Sequence, residues 1–120
     1  MAVTIRRLAE GDRAAWEGLY AGYAEFYRVT QTPEMRAQVW RWIFDPTHEV
    51  EAFVAEDENG HLLGLAHFRA YARPLSASTG GFLDDLFVPP GARGHGAADA
   101  LIGALTTEGR ARGWTVIRWI

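Results

Sequence analysis

Apolar Val3 and Ile5 alternate with polar Thr4 and Arg6, and this period of two predicts a short first strand running to Arg7. Glu10-Gly11-Asp12 breaks it, and Asp12 is placed to cap a helix. Trp16, Leu19, Tyr20, Tyr23 and Tyr27 then recur at i, i+3, i+4, i+7 and i+11, an amphipathic helix with an aromatic seam. Core packing against a sheet accounts for Trp16, Leu19 and Tyr20. The far end, Tyr23-Ala24-Glu25-Phe26-Tyr27, carries apolar groups on more than one face, which makes part of it, Tyr27 above all, a candidate for lining a ligand cleft. Thr32-Pro33-Glu34 starts a second helix, with Thr as cap, Pro at the first helical position and an acid in the first turn. Met35, Val39, Trp42 and Ile43 form its expected buried stripe. Trp40 lies off that stripe and is a candidate for covering a substrate channel or a subunit contact. Asp45-Pro46 ends the helix.

Val50–Glu56 and His61–Tyr71 read as strands joined through Asp57-Glu58-Asn59-Gly60, where Asn-Gly signals a hairpin turn with positive φ at both central residues. Arg73–Gly81 reads as a polar loop. Phe82–Val88 is the next strand, and Pro89-Pro90 ends it because proline offers no N–H to a ladder. From Ala97 the period becomes helical, with Ala98, Leu101, Ile102 and Leu105 on one stripe. Arg110 and Arg112 suit the helix C-terminus, and Gly113 suits its cap. Trp114–Ile120 alternates as a last strand. The order β-α-α-β-β-β-α-β predicts an α+β fold: a mixed, mostly antiparallel twisted sheet with helices on both faces, three layers in all.

Composition narrows the function. A chain of 120 residues, 48% hydrophobic and 12% aromatic, is expected to form one globular domain over residues 1–120. The net charge of −3 provides no general field for nucleic acid. The absence of cysteine excludes thiol catalysis and fits a reducing compartment. The N-terminus lacks the apolar segment of a signal peptide, and no apolar run reaches the ~20 residues of a membrane span. His48, His61, His67 and His95 lack metal-ligand spacing. The expectation is a cytoplasmic protein with no metal.

Gly91, Gly94 and Gly96 between the Phe82–Val88 strand and the Ala97 helix make the chemistry specific. Without a Cβ the backbone can approach a ligand closely, and a helix N-terminus offers free N–H groups at the positive end of the dipole. Arg93 adds a full positive charge. The anion is not held by a Walker loop, since no Gly-Lys-Ser/Thr is present. Nor is it a dinucleotide fold, since the loop comes late and follows a strand carrying Asp84 and Asp85.

Arg93-Gly94-His95-Gly96-Ala97-Ala98 resembles Arg/Gln-x-x-Gly-x-Gly/Ala, the acetyl-CoA diphosphate loop of the Gcn5-related N-acetyltransferases. Leu86-Phe87-Val88-Pro89 looks like the strand that this family lays beside pantetheine. The resemblance follows the element order across essentially the whole chain, and Phe82–Val88 is most similar to the polyamine and histone acetyltransferases. It implies an acyl-CoA N-acyltransferase-like fold and acetyl-CoA as cosubstrate. Leu86, Phe87, Val88, Arg93, Gly94, His95, Gly96, Ala97 and Ala98 would hold the cofactor. The family continues with a further helix and two strands that these 120 residues do not contain, so the resemblance is to a C-terminally short form. The usual general acid, a tyrosine on that helix, is missing with them, and no acid is named.

Amine acetylation needs an uncharged amine, whereas an alkylamine with a pKa of roughly 10 is protonated at neutral pH. The resemblance implies that Asp84, where the family usually has Glu, is the base, directly or through water, and that Asp85 holds a cationic substrate. Adjacent strand residues face opposite sides unless a bulge rotates them, and the family has a bulge about here. Tyr27 and Trp40 are the further substrate-contact candidates. His67 reads as a packed or cleft-lining residue. The leading expectation is an acetyl-CoA-dependent N-acetyltransferase acting on a small polyamine-like amine or a lysine side chain, as a homodimer, with no nucleic-acid or membrane partner. The alternatives are a non-catalytic CoA-binding or regulatory module, and a structural domain that keeps the loop only as a turn.

Overall fold

The structure, a computed structural model, describes residues 2–119. Its elements are β1 (Thr4–Arg7), α1 (Arg13–Phe26), α2 (Pro33–Phe44), β2 (Glu51–Glu56), β3 (Leu62–Arg73), β4 (Ser78–Phe87), α3 (Ala97–Arg112) and β5 (Ile117–Arg118). The five strands form one sheet in sequence order. β1 to β4 pair antiparallel, and β5 joins β4 in parallel after the α3 crossover. This is the mixed α+β arrangement that the element order predicts.

Alternation along the strands divides the core between two faces. Phe53, Ala55, Ala66, Phe68 and Leu83 pack with Leu101 and Leu105 of α3. Ala52, Val54, Leu65 and Phe87 pack with Trp16 and Tyr20 of α1. Burying a side chain such as Leu101, which is fully enclosed, contributes roughly 1.5–3 kcal/mol relative to exposure. The α3 layer fixes where the helix begins, and the α1 layer sets an aromatic helix over β3 and β4.

Several local expectations are corrected. Asp12 stands at the N-cap position of α1, but its side chain makes no capping bond there. It accepts instead from the Ala9 N–H at 2.7 Å and from both terminal nitrogens of Arg6 at 2.7 and 3.0 Å, tying the end of β1 to the helix start. The charged clamp satisfies the carboxylate better than a lone cap would. On α2, Met35 and Trp42 are exposed, and the inward stripe is Arg36, Val39, Trp40 and Ile43. Trp40 turns in because its ring meets Trp16 at 5.3 Å and Phe44 at 4.5 Å.

The Arg73–Gly81 loop is largely strand. β3 and β4 pair through Arg73 and Ser78, and only the turn Pro74–Ser76 and left-handed Ala77 connect them. In the hairpin between β2 and β3, Gly60 has positive φ and Asn59 does not. Asp57 organises that turn by accepting from the Asn59 and His61 N–H groups, both at 2.9 Å. The last strand is Ile117–Arg118 alone, and Ile120 lies outside the described residues.

Candidate active site

The register of β3 against β4 shifts at one point. His67 pairs with Asp85 and Phe68 pairs with Leu83, so Asp84 is an extra residue on β4. This β-bulge breaks the strict alternation. Leu83 faces the α3 layer, whereas Asp85 meets His67 on the α1 face. Asp84 reaches Arg69, two residues on from His67 and therefore on the same face of β3. Both carboxylates thus stand on the face covered by α1, which a regular strand would forbid.

The two acids have different surroundings. Asp84 takes a bond from Arg69 Nε at 3.1 Å and keeps about a third of its side chain exposed. Partial burial pushes its pKa up, against the opposing pull of Arg69. Asp85 is more enclosed. Its Oδ2 accepts from the Tyr20 hydroxyl at 2.9 Å and contacts His67 Nδ1 at 2.8 Å. Burial alone would raise its pKa, but hydrogen bonds from His67, Tyr20 and Tyr23 outweigh burial and hold it below the ordinary carboxylate value. Burial, with the Asp85 charge next, pushes the Tyr23 hydroxyl up to about 12.

Past Phe87 the chain passes through Pro89 and the turn Pro90–Ala92 before α3. Gly94 and Gly96 have φ of 92° and 78°, in the left-handed region that side chains resist. Among the described residues, the N–H groups of Gly94 through Asp99 donate to no protein acceptor outside the helix, and α3 has no side-chain cap. They lie at the positive end of a 16-residue helix. Arg93 donates from Nε to the Val88 carbonyl at 3.0 Å, and its guanidinium sits 5.1 Å from the centre of the Phe26 ring. A cavity of about 520 Å³ opens here, lined by Tyr27, Leu86, Phe87, Val88, Arg93, Gly94, Gly96, Ala97, Ala98 and Asp99.

β4 and β5 pair only at Gly81–Ile117 and Phe82–Arg118. Among the described residues no strand covers that edge of β4 from Leu83 to Phe87, so its main chain is available to a ligand beside the cavity.

The structure therefore gathers Tyr27 with all the expected cofactor residues except His95, which does not line the cavity. It sets Asp84 and Asp85 one to two residues before the cavity wall on β4. Trp40 is not with them. It packs on Trp16, with Arg13 5.6 Å from its ring centre, as part of the α1–α2 core. Sequence reasoning missed Arg69 and Tyr20 as site residues, and it placed Tyr23 and Phe26 only within a segment of which part could line a cleft. The aromatic seam pointed toward Tyr20 and Tyr23, the apolar groups off that seam pointed toward Phe26, and nothing in the spacing pointed to Arg69.

A profile described as the acetyltransferase (GNAT) family matches residues 16–120. The chain is 24% identical over 119 residues to the D-amino-acid N-acetyltransferase HPA3 of Saccharomyces cerevisiae, covering 98% of this chain and 74% of that protein. It superposes with a TM-score of 0.81 on the ribosomal-protein-alanine N-acetyltransferase of Brucella melitensis biovar Abortus 2308, at 26% identity over 99% of this chain and 79% of that one. A TM-score of 0.83 relates its fold to AAC(6')-Iy, solved with the bisubstrate analogue CoA-S-monomethyl-acetylneamine, at 21% identity over 100% of this chain and 80% of that one. Bulge, cation and helix N-terminus thus stand in an established frame, and the chain belongs to the GNAT family of N-acetyltransferases.

Proposed function

We propose that this protein transfers the acetyl group of acetyl-CoA to a primary amine, either of a small cationic acceptor of the polyamine type or of a lysine side chain. The observation that carries this reading is the bulge at Asp84, which puts two carboxylates on one face immediately before a loop of unpaired N–H groups.

The cofactor fits the residues present. The free N–H groups from Gly94 to Ala98, with the outer nitrogens of Arg93, suit the two phosphates of CoA. The uncovered edge of Leu86, Phe87 and Val88 suits the amide-bearing arm. When bound, acetyl-CoA supplies an activated thioester. His95 stays outside the cavity lining, and the reading needs no contact from it.

Asp84 is the base. Its carboxyl is raised by partial burial, which makes it a better proton acceptor than Asp85, and it remains open enough for a bridging water. The amine arrives as an ammonium and loses a proton toward Asp84 before attack. Asp85, kept ionised by its donors, attracts the cation. Tyr27, 57% exposed at the cavity wall, contacts the acceptor where it meets the arm. Trp40 supports α1 from behind through Trp16 and makes no contact with the acceptor.

Two measurements test the reading. Acetyl-CoA should raise the melting temperature of the protein. Release of free thiol from acetyl-CoA should then exceed the blank with spermidine, small diamines or lysine peptides, and less so with neutral or acidic amino compounds. Binding without thiol release from any amine would overturn the transfer reaction, and no thermal shift would overturn the cofactor site.

A further inference from the structure

Four side chains form a continuous hydrogen-bonded line from the interior of α1 to the acceptor face. Trp16 Nε1 lies 3.0 Å from His67 Nε2, His67 Nδ1 lies 2.8 Å from Asp85 Oδ2, and the Tyr20 hydroxyl lies 2.9 Å from the same oxygen. Trp16 and His67 are fully buried, whereas Asp85 keeps 18% of its side chain exposed.

The donor inventory fixes the protons. The indole N–H can only donate, so His67 Nε2 must present a lone pair. The ring therefore carries its proton on Nδ1 and donates it to Asp85. Tyr20 fills a second site on Oδ2. A proton on Oδ2 would displace one of these donors, and a proton on Oδ1 would leave Oδ2 a weaker acceptor for both, so two donors on one oxygen favour the ionised Asp85. Oδ1 takes none of these three bonds.

We propose that Trp16 and His67 are positioning residues that lock Asp85 as a fixed carboxylate on the acceptor side, so that the acceptor is recognised as an ammonium cation. Trp16 acts at a distance. It holds His67 Nε2 as an acceptor and so keeps the ring neutral, with its one proton on the Nδ1 that orients Asp85. The groups facing Asp85 are Tyr20 and Tyr23 from α1, His67 from β3 and Asp84 from β4, with Arg69 engaged by Asp84. Of these, His67 joins Asp85 to a second, fully buried donor, the Trp16 indole N–H. The identity of the cation rests on the acetyl-transfer reading above. The lock itself does not.

The experiment therefore has one arm that needs no turnover. In the parent, long-range proton–nitrogen NMR should show His67 as a single Nδ1–H tautomer, and the Asp85 carboxyl carbon should titrate below the ordinary range. Trp16→Phe should leave the Nδ1 proton directed at Asp85 but free Nε2, so that the ring is no longer confined to the neutral Nδ1–H form. His67→Leu should move the Asp85 titration upward. His67→Gln, whose amide can accept from Trp16 and donate to Asp85, should restore it.

In the kinetic arm His67→Leu should raise KM for the amine about tenfold, the low end for losing a hydrogen bond to a charged group. KM for acetyl-CoA should stay within about twofold by the same scale, and His67→Gln should recover most of the loss. An Asp85 titration that is the same in parent and His67→Leu overturns the lock. A shifted titration with an unchanged amine KM overturns its role in recognition. If His67→Leu does not fold, His67→Phe, which keeps the bulk and offers Asp85 no donor, takes its place with the same two readouts and the same overturning outcomes. A parent that shows the tautomer but releases no thiol with any amine removes the transfer reading and leaves the lock standing.

Discussion

The guanidinium of Arg93 sits over the ring of Phe26, its central carbon 5.1 Å from the ring centre, while its Nε is spent on the Val88 carbonyl. α1 therefore helps aim the cation that guards the N-terminus of α3. The two outer nitrogens remain for an anion. Arg93→Ala should weaken acetyl-CoA binding by about 10- to 100-fold, the range for losing a charge-assisted bond. Phe26→Leu should weaken it only about threefold, since a partly exposed cation–π contact contributes about 0.5–1 kcal/mol. Calorimetric titration checks both. Unchanged affinity in Arg93→Ala would mean that main-chain N–H groups alone hold the phosphates.

How much of this could be read from the chain depends on the range of the interaction. Leu101 and Leu105 of the α3 stripe and the apolar run Ala52–Ala55 of β2 depend on a residue's neighbours, and the folded chain buries them, although Ala97 and Gly109 complete the buried side of α3 and Ile102 does not. α2 carries Met35, Val39, Trp40, Trp42, Ile43 and Phe44, apolar on more than one side, so local period could not choose its buried face. Contact with Trp16 chose it, and that contact belongs to the tertiary structure. The Trp16–His67 bond spans 51 residues and His67–Asp85 spans 18, distances at which spacing carries no signal. The Arg93–Ala98 loop was legible because its task is done by backbone and glycine, which leave a local trace.

The Arg69–Asp84 pair at 3.1 Å opposes the burial that raises the Asp84 carboxyl. Removing the guanidinium should let burial act unopposed. Arg69→Gln is expected to shift the acidic limb of kcat/KM upward in pH, since the base must be ionised to accept a proton. Asp84→Asn should lower kcat by about 10²- to 10⁴-fold, the usual contribution of a general base, with little change in acetyl-CoA affinity. pH–rate profiles and single-turnover thiol release measure these. Equal rates in Asp84→Asn and parent would remove Asp84 from the reaction.

Asp85 makes a different prediction for stability. Its folded carboxyl lies below the ordinary value, so the stabilisation it provides is present above the unfolded pKa and fades as pH falls through the folded one. Asp85→Asn should therefore melt below the parent at neutral pH. Leaving buried donors poorly matched costs about 1–3 kcal/mol, and at roughly 5 °C per kcal/mol for a domain of this size the gap should reach roughly 5–15 °C. The gap should narrow toward pH ~3, below the ordinary Asp value, where the parent's carboxyl also takes up protons. Thermal melts of both proteins across acid pH give the test, and a gap that stays constant with pH would mean that the charge of Asp85 does not contribute.

Gly64 on β3 connects the core directly to the cavity wall. A Cβ built there would stand 2.7 Å from the Phe87 carbonyl oxygen and 2.9 Å from a Val88 methyl. One of those neighbours is backbone, which cannot swing aside as a flexible side chain would. The added methyl must push the end of β4 outward, and that segment carries Leu86, Phe87 and Val88 toward the α3 loop. Gly64→Ala should cost about 1–3 kcal/mol of stability, as overpacking does. Its effect on acetyl-CoA affinity should exceed that of an equally destabilising change on the far side of the sheet, such as Val54→Ala. Val54 is fully buried in the α1 layer and does not line the cavity. Comparing the two variants at matched melting temperature isolates the local displacement. Equal affinities would show that β4 absorbs the methyl without moving the residues beside the cofactor.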